Sequence, residues 1–203
     1  MTIRRGEAWG APAPLPRHGV VVRSDGEAHD IVTAARRAGE PIPPLGLLGG
    51  DLCRAFGGTG DEARLHAPEA MTFPMDLGVA VLDGQVHCFL THLVARRPFW
   101  LGRAVVVMNT PWLGEWNLGP KAHPNDGLLD ASDARLRPSE LALARARLRL
   151  GTHVPHPRIA TTRAASLRFD FDRAVTVRLD GREVGAFHAM DLRIEPDVLT
   201  VVV

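Results

Sequence analysis

The chain has no tyrosine and a single lysine, Lys121, among its 203 residues. Aromatic residues make up only 5% of it, which leaves nothing like the stacking platforms that hold single-stranded nucleic acid. The formal net charge is +1, with 23% charged residues. There is therefore no basic surplus to neutralise a phosphate backbone, and no nucleic-acid partner is expected. Two cysteines, Cys53 and Cys88, are too few for a disulfide framework or a Cys-rich zinc site. Each lies among apolar neighbours and reads as a small hydrophobe. No apolar run approaches the ~20 residues needed to span a bilayer. The stretch from Met1 to Gly6 lacks the apolar core of a signal peptide. The expected location is the cytoplasm.

What is present falls into two parts. After a proline- and glycine-rich lead from Gly6 to Gly19, Val20-Val21-Val22 reads as a short buried strand. Ser24 or Asp25 can cap the helix that follows, in which Ala28, Ile31, Val32 and Ala35 share a face and Gly39 ends it. Pro41 to Pro44 is a stiff connector. Leu45 to Leu48 reads as a second strand, and Asp51 as the cap of a short helix over Leu52 to Phe56. This strand–helix–strand–helix order is a piece of parallel α/β sheet. Beyond a Gly57 to Asp61 connector, Asp76–Leu82 and Gln85–Val94 flank Asp83-Gly84 as a hairpin. Ala104 to Asn109 is a continuous apolar strand. A helix begins at Arg137-Pro138-Ser139, carries Leu141, Ala144 and Leu148 on one face, and ends at Gly151. Strands return around Leu167 to Phe171, Val175 to Leu179, the Asp180-Gly181 turn and Val198 to Val203. The expected fold is α+β: a small α/β portion over residues 1–65, then a β-sandwich over 66–203 with one inserted helix.

Several stretches can carry chemistry. Asp25-Gly26 and Gly49-Gly50 each lie between a strand and a helix, where free backbone N–H groups meet phosphate. Two adjacent parallel strands would bring both loops to one sheet edge. Neither is a P-loop, and ordinary turn chemistry explains either one alone. The stretch Gly119 to Asp130 passes through Asn125-Asp126-Gly127. It reads either as a hairpin turn or as a loop offering carbonyls and carboxylates to a hard cation. His153 and His156 have ligand-like spacing, but the prolines around them and the lack of a third ligand favour a structural or exposed role over zinc. Trp112 and Trp116 flank Gly114 as surface or cleft aromatics. The Arg145 and Arg149 side of the later helix reads as a solvated face, with peripheral membrane contact as the alternative.

Together these stretches resemble the diacylglycerol kinase catalytic-domain family of bacterial lipid kinases. Val105 to Asn109, Gly114 and Pro120 to Asp130 look like the family's strand, glycine loop and P-x-D-D-G-L-L-D segment. Val175 to Gly185 looks like its V-x-V-D-G-E-P-x-G hairpin, and Glu195 to Leu199 like its closing L-P-G-A-L strand. Asp25-Gly26 falls at its G-G-D-G-T motif and Gly49 to Arg54 at its G-G-T-G-N-D motif. The resemblance implies an α/β nucleotide-binding domain followed by a sandwich, with the active site in the cleft between. It implies nucleotide contacts at Asp25, Gly26, Gly49 and Gly50, and Mg²⁺ held by Asp126 with the carbonyls of His123 and Leu128. The ligand or partner it implies is a lipid or a lipid-kinase protein.

The departures are specific. The chain starts close to the first glycine motif, so it reads as N-terminally truncated. Arg23-Ser24-Asp25-Gly26-Glu27 replaces two glycines by side chains and the motif's threonine by a carboxylate, which repels a triphosphate. The second motif lacks its T-G-N portion. Arg182 stands where the family carries a catalytic Glu, and Glu183 beside it faces the other side of a strand. These losses argue against ordinary ATP-dependent phosphoryl transfer. The expectation is a degenerate lipid-kinase-like protein that binds a ligand or partner. The alternatives are an active ATP- and Mg²⁺-dependent lipid kinase completed by a second subunit, or a regulatory partner of a full-length lipid kinase.

Overall fold

The computed structural model describes residues 9–100 and 102–203. In chain order the elements are β1 (Ala11–Pro12), β2 (Val20–Val22), α1 (Asp25–Ala38), β3 (Leu45–Leu47), α2 (Gly50–Ala55) and α3 (Glu62–Leu65). The long β4 (Met71–Leu82) follows, then β5 (Gln85–Phe89), β6 (His92–Arg96) and β7 (Ala104–Met108). Next come β8 (Trp112–Leu113), β9 (Trp116–Asn117), β10 (Leu129–Ala134), α4 (Pro138–Leu148), β11 (Ile159–Ala164), β12 (Ser166–Leu179) and β13 (Arg182–Val202).

Helix α1 forms as its sequence dictates. The Ser24 side chain accepts from the Glu27 N–H, while the Glu27 carboxylate accepts from the Arg23 N–H at 2.6 Å. Gly39 closes the helix in the left-handed region, φ 69°. Ala28, Val32 and Ala35 are buried, and His29 is buried with them. In α2 the cap lies two residues before the expected one. Gly49 is the N-cap, Asp51 lies inside the helix, and its carboxylate accepts instead from the distant Gly114 N–H at 2.7 Å.

Eleven strands form one sheet, ordered β1-β4-β13-β12-β6-β7-β10-β11, with β5 on β4, β3 on β13 and β2 on β3. β2, β3 and the end of β13 run parallel, Val20 beside Leu45 and Leu45 beside Val201. The other pairings in this sheet are antiparallel. The α/β beginning and the sandwich are thus joined through β13. Two cores lie along that strand. Phe187, Met190, Leu192 and Ile194 pack with Phe89, Leu93, Val107 and Val177 inside the sandwich. Leu199 and Val201 pack with Val32, Leu45, Leu52 and Met75 beneath α1 and α2. The two faces change roles at a bulge between Glu195 and Leu199, where Asp197 takes φ 57°.

Both expected two-residue turns form. Asp83-Gly84 (φ 44° and 88°) joins β4 to β5, and Asp180-Gly181 (φ 48° and 83°) joins β12 to β13. Positive φ at both central positions is the type I′ geometry that matches strand twist. The strand expected over Gln85–Val94 is interrupted, however. β5 pairs with β4, whereas β6 leaves that partner to pair with β12 and β7. Asn125-Asp126-Gly127 is also no hairpin turn. It lies in an irregular loop between β9, which pairs with β8, and β10, which pairs with β7 and β11.

Candidate functional site: a self-filled cleft

The two glycine loops do meet. Their meeting point is occupied by a side chain of the protein itself. The Asp25 carboxylate accepts from the backbone N–H groups of Asp51 (2.9 Å) and Leu52 (3.0 Å) at the start of α2. Gly50 makes the approach feasible. It has φ 87°, and a Cβ there would fall 2.3 Å from Asp25 Oδ1. Gly49 serves the same purpose against the Arg23 carbonyl, 2.5 Å from a Cβ placed on it. The glycines therefore let protein approach protein. Burial drives the Asp25 carboxyl up to about 6, against the two N–H bonds that favour its charged form.

Arg182 closes the same region from the sandwich side. Its Nη2 donates to the Gly26 carbonyl at 3.3 Å and pairs with Asp30 of α1. Glu183 turns away and pairs with Arg178 at 2.9 Å. On the other flank, α2 grips the β8–β9 hairpin. Asp51 accepts from Gly114 N, Arg54 donates to Gly114 O at 3.0 Å, and the Arg54 guanidinium lies 3.5 Å from the Trp112 ring centroid.

Asp126, His123 and Leu128 form a second group with its own partners. Asp126 Oδ1 accepts from the Leu128 N–H at 3.0 Å, and Oδ2 accepts from Arg163. Arg163 Nε also reaches Asp130 at 3.2 Å. Burial lifts the Asp126 carboxyl to about 6, with Arg163 opposing the rise. His123 is half-buried against Trp9, ring centroids 4.5 Å apart, and burial lowers its pKa. This arrangement does not fit Mg²⁺, which asks for open oxygen ligands in octahedral array. Both Asp126 oxygens are engaged and the adjoining positive charge is a guanidinium. Among the described residues no group of three His, Cys, Asp or Glu side chains is placed to hold a metal.

The loop is held instead by a carboxylate that sequence reasoning passed over. Asp76, fully buried in β4, accepts from Gly127 N (2.7 Å), Asn125 Nδ2 (3.2 Å) and Asp197 N (3.0 Å). Desolvation raises its pKa. Asp180 is the other overlooked residue. Taken from sequence only as a turn former, it is buried and accepts from Leu90 N, Thr91 N, Thr91 Oγ1 and His92 N, and from His29 Nδ1 at 2.9 Å. Those hydrogen bonds outweigh the desolvation and hold its carboxyl below the ordinary carboxylate range. They also explain why β5 and β6 are separate strands, since the chain between them bends around this carboxylate. Of the paired histidines, His156 accepts from Arg158 N at 3.1 Å in a turn, whereas His153 is buried.

The fold is similar to that of solved structures. A crystal structure from Bacillus anthracis str. Sterne described as a diacylglycerol kinase is similar over 91% of this chain and 75% of its own, with TM-score 0.66 and 15% identity. Another from that organism, also described in terms of a diacylglycerol kinase, matches over 91% of this chain and 77% of its own, with TM-score 0.69 and 16% identity. At such identities the likeness is one of fold. No curated protein sequence matches. No helix among the described residues is long and apolar enough to cross a membrane. The sequence profile of the YegS C-terminal NAD kinase beta sandwich-like domain matches residues 72–203, and the chain belongs to that family.

Proposed function

We propose that this lipid-kinase-like protein acts by binding and does not transfer phosphoryl groups. The observation that carries the reading is the Asp25 carboxylate on the Asp51 and Leu52 N–H groups. Those donors lie where the resemblance places nucleotide phosphate. A triphosphate would have to displace an internal carboxylate that already satisfies them and would meet Glu27 nearby. Arg182 supports the same reading. It puts a cation, committed to Gly26 and Asp30, at the position of the catalytic carboxylate.

The test is isothermal calorimetry with ATP and Mg²⁺, followed by a kinase assay on diacylglycerol in mixed micelles. The expected result is no saturable heat and no turnover above the no-enzyme control. Robust turnover at low protein concentration would sink the proposal.

One observation favours a second reading, an active kinase completed by another subunit. Among the described residues the outer edge of β2 has no strand partner, and such an edge accepts a strand from another chain. That reading predicts activity that rises with protein concentration and with added partner.

A further inference from the structure

Helix α1 buries Ala28, Val32 and Ala35, whereas Arg36 and Arg37 stay exposed on its last turn. Beside them, between α1, the β4–β5 hairpin and β13, lies an open groove of about 620 Å³. That volume is within the range of small-molecule sites. The groove has an apolar floor, since Val79 and Cys88 are 2% and 7% exposed. A low local dielectric strengthens the charge contacts made above such a floor.

Charge in the groove is unbalanced. Arg36 and Arg37 enter from α1 and Arg193 from β13, against one acid, Glu195. The Glu195 carboxylate accepts from both Arg36 and Arg193, the latter at 2.8 Å. Arg37 has no ion-pair partner among the described residues. Favourable placement of cations at a helix C-terminus accounts for Arg36 and Arg37. It does not account for Arg193, which β13 brings to the same groove. Three guanidiniums facing one carboxylate leave two positive charges over. A polar atom is also unmet, because His87 Nε2 is buried without a hydrogen-bond partner. Burial, then the Arg37 and His29 charges, lower the pKa of this ring. The ring is therefore neutral, and Nε2 can bond a hydroxyl in either role.

We propose that this groove binds the phosphomonoester of a small hydroxylated molecule. The phosphate lies among Arg36, Arg37 and Arg193, and a hydroxyl of the organic body meets His87 Nε2. Near neutral pH a phosphomonoester carries about two negative charges and three acceptor oxygens. That is the charge the groove lacks, and guanidinium forks match the phosphate geometry. A single carboxylate supplies too little charge, and a triphosphate more than the groove can balance. Neither Asp25 nor Arg182 lines the groove. The site rests on no property of their cleft, so either reading can fail without the other.

The experiment is isothermal calorimetry on the full chain with ribose 5-phosphate, with ribose and succinate as controls. The expected result is one saturable site per chain, with ribose and succinate binding at least tenfold more weakly. Inorganic phosphate should displace the ligand. Arg37→Gln, which breaks no ion pair, should weaken binding about tenfold, the effect of one charge-assisted hydrogen bond. Glu195→Gln frees Arg36 and Arg193 and should strengthen binding severalfold, the opposite of what a damaged fold would do. The proposal is overturned if ribose 5-phosphate shows no saturable binding at millimolar concentration, or if succinate binds as tightly. It is equally overturned if Arg37→Gln binds as the wild type does, or if Glu195→Gln keeps its melting temperature but binds more weakly. Phosphatidate presents the same head group from a membrane. Vesicles containing it should not compete with ribose 5-phosphate. If the vesicles bind and ribose 5-phosphate does not, the proposal is overturned, since the occupant is then a lipid headgroup.

Discussion

Asp180 Oδ2 lies 2.9 Å from His29 Nδ1, and this contact ties the β12–β13 turn to the first helix across 151 residues of sequence. The same carboxylate holds the backbone at Leu90, Thr91 and His92. Replacing it by alanine would leave three buried N–H groups and an imidazole unmatched. Asp180→Ala should lose on the order of 3–5 kcal/mol in urea unfolding. His29→Ala should lose less, because the backbone donors keep their acceptor. Equal losses would show that the network is not centred on Asp180.

The pH response of stability separates two kinds of buried carboxylate. Asp180 has a folded pKa below its unfolded value, so its contribution is present above the unfolded pKa and is lost as pH falls through the folded one. Asp25 is the opposite case, raised from 3.8 to about 6. Its folded form binds a proton more tightly than the unfolded chain does. Stability from this group is full below about pH 4 and falls as pH rises toward 6, by on the order of 2–3 kcal/mol. Melting curves across that window should therefore decline less with pH in Asp25→Asn than in the wild type. An identical slope in both would refute the assignment.

Arg163 predicts how the Asp126 loop responds to cations. With the guanidinium on Asp126 and Asp130, millimolar Mg²⁺ should leave the wild-type melting temperature unchanged within a degree. Arg163→Ala exposes two neighbouring carboxylates to each other. It should lower the melting temperature, and Mg²⁺ should restore part of the loss. A wild type that Mg²⁺ stabilises by several degrees would contradict the fit described for this loop.

The grip of α2 on the β8–β9 hairpin can be read by hydrogen exchange. That hairpin has only two residues in each strand, too few to persist alone. Arg54→Ala removes both the stacking on Trp112 and the bond to Gly114 O. It should speed amide exchange over residues 112–118 at least tenfold while costing only about 1–2 kcal/mol globally. Uniform acceleration across the chain would mean that the contact supports the whole fold instead.

Arg182→Glu restores the carboxylate that the resemblance places at this position. No kinase activity should follow, because Asp25 still occupies the α2 donors and the new glutamate faces Asp30. A loss of stability of about 1 kcal/mol or less is expected from the exposed pair. Appearance of turnover in this single variant would show that the cleft lacks only one residue.

What sequence patterning revealed was whatever local chemistry decides. The Ser24 and Gly39 caps of α1 and the Asp83-Gly84 and Asp180-Gly181 turns follow from residues within a few positions of one another. The encounter of the Asp25 and Gly50 loops was also legible, because two parallel strands bring such loops to one edge. What escaped depends on distant partners. Asp51 looks like a cap until Gly114 is seen beside it, 63 residues away. Asp76 reads as an ordinary polar residue opening a strand, since Asn125 and Asp197, which justify its burial, lie 49 and 121 residues off. Asp180 was hidden by its own turn signal, which fully accounts for an Asp-Gly pair without asking where the carboxylate goes.

The twenty-one residues of β13 lie against both hydrophobic cores, one before its bulge and one after. A strand shared in this way acts as a mechanical splint, since pulling it from one core strips the other. The two portions should therefore melt in one calorimetric transition, although their orders of strands and helices suggest two units that could part.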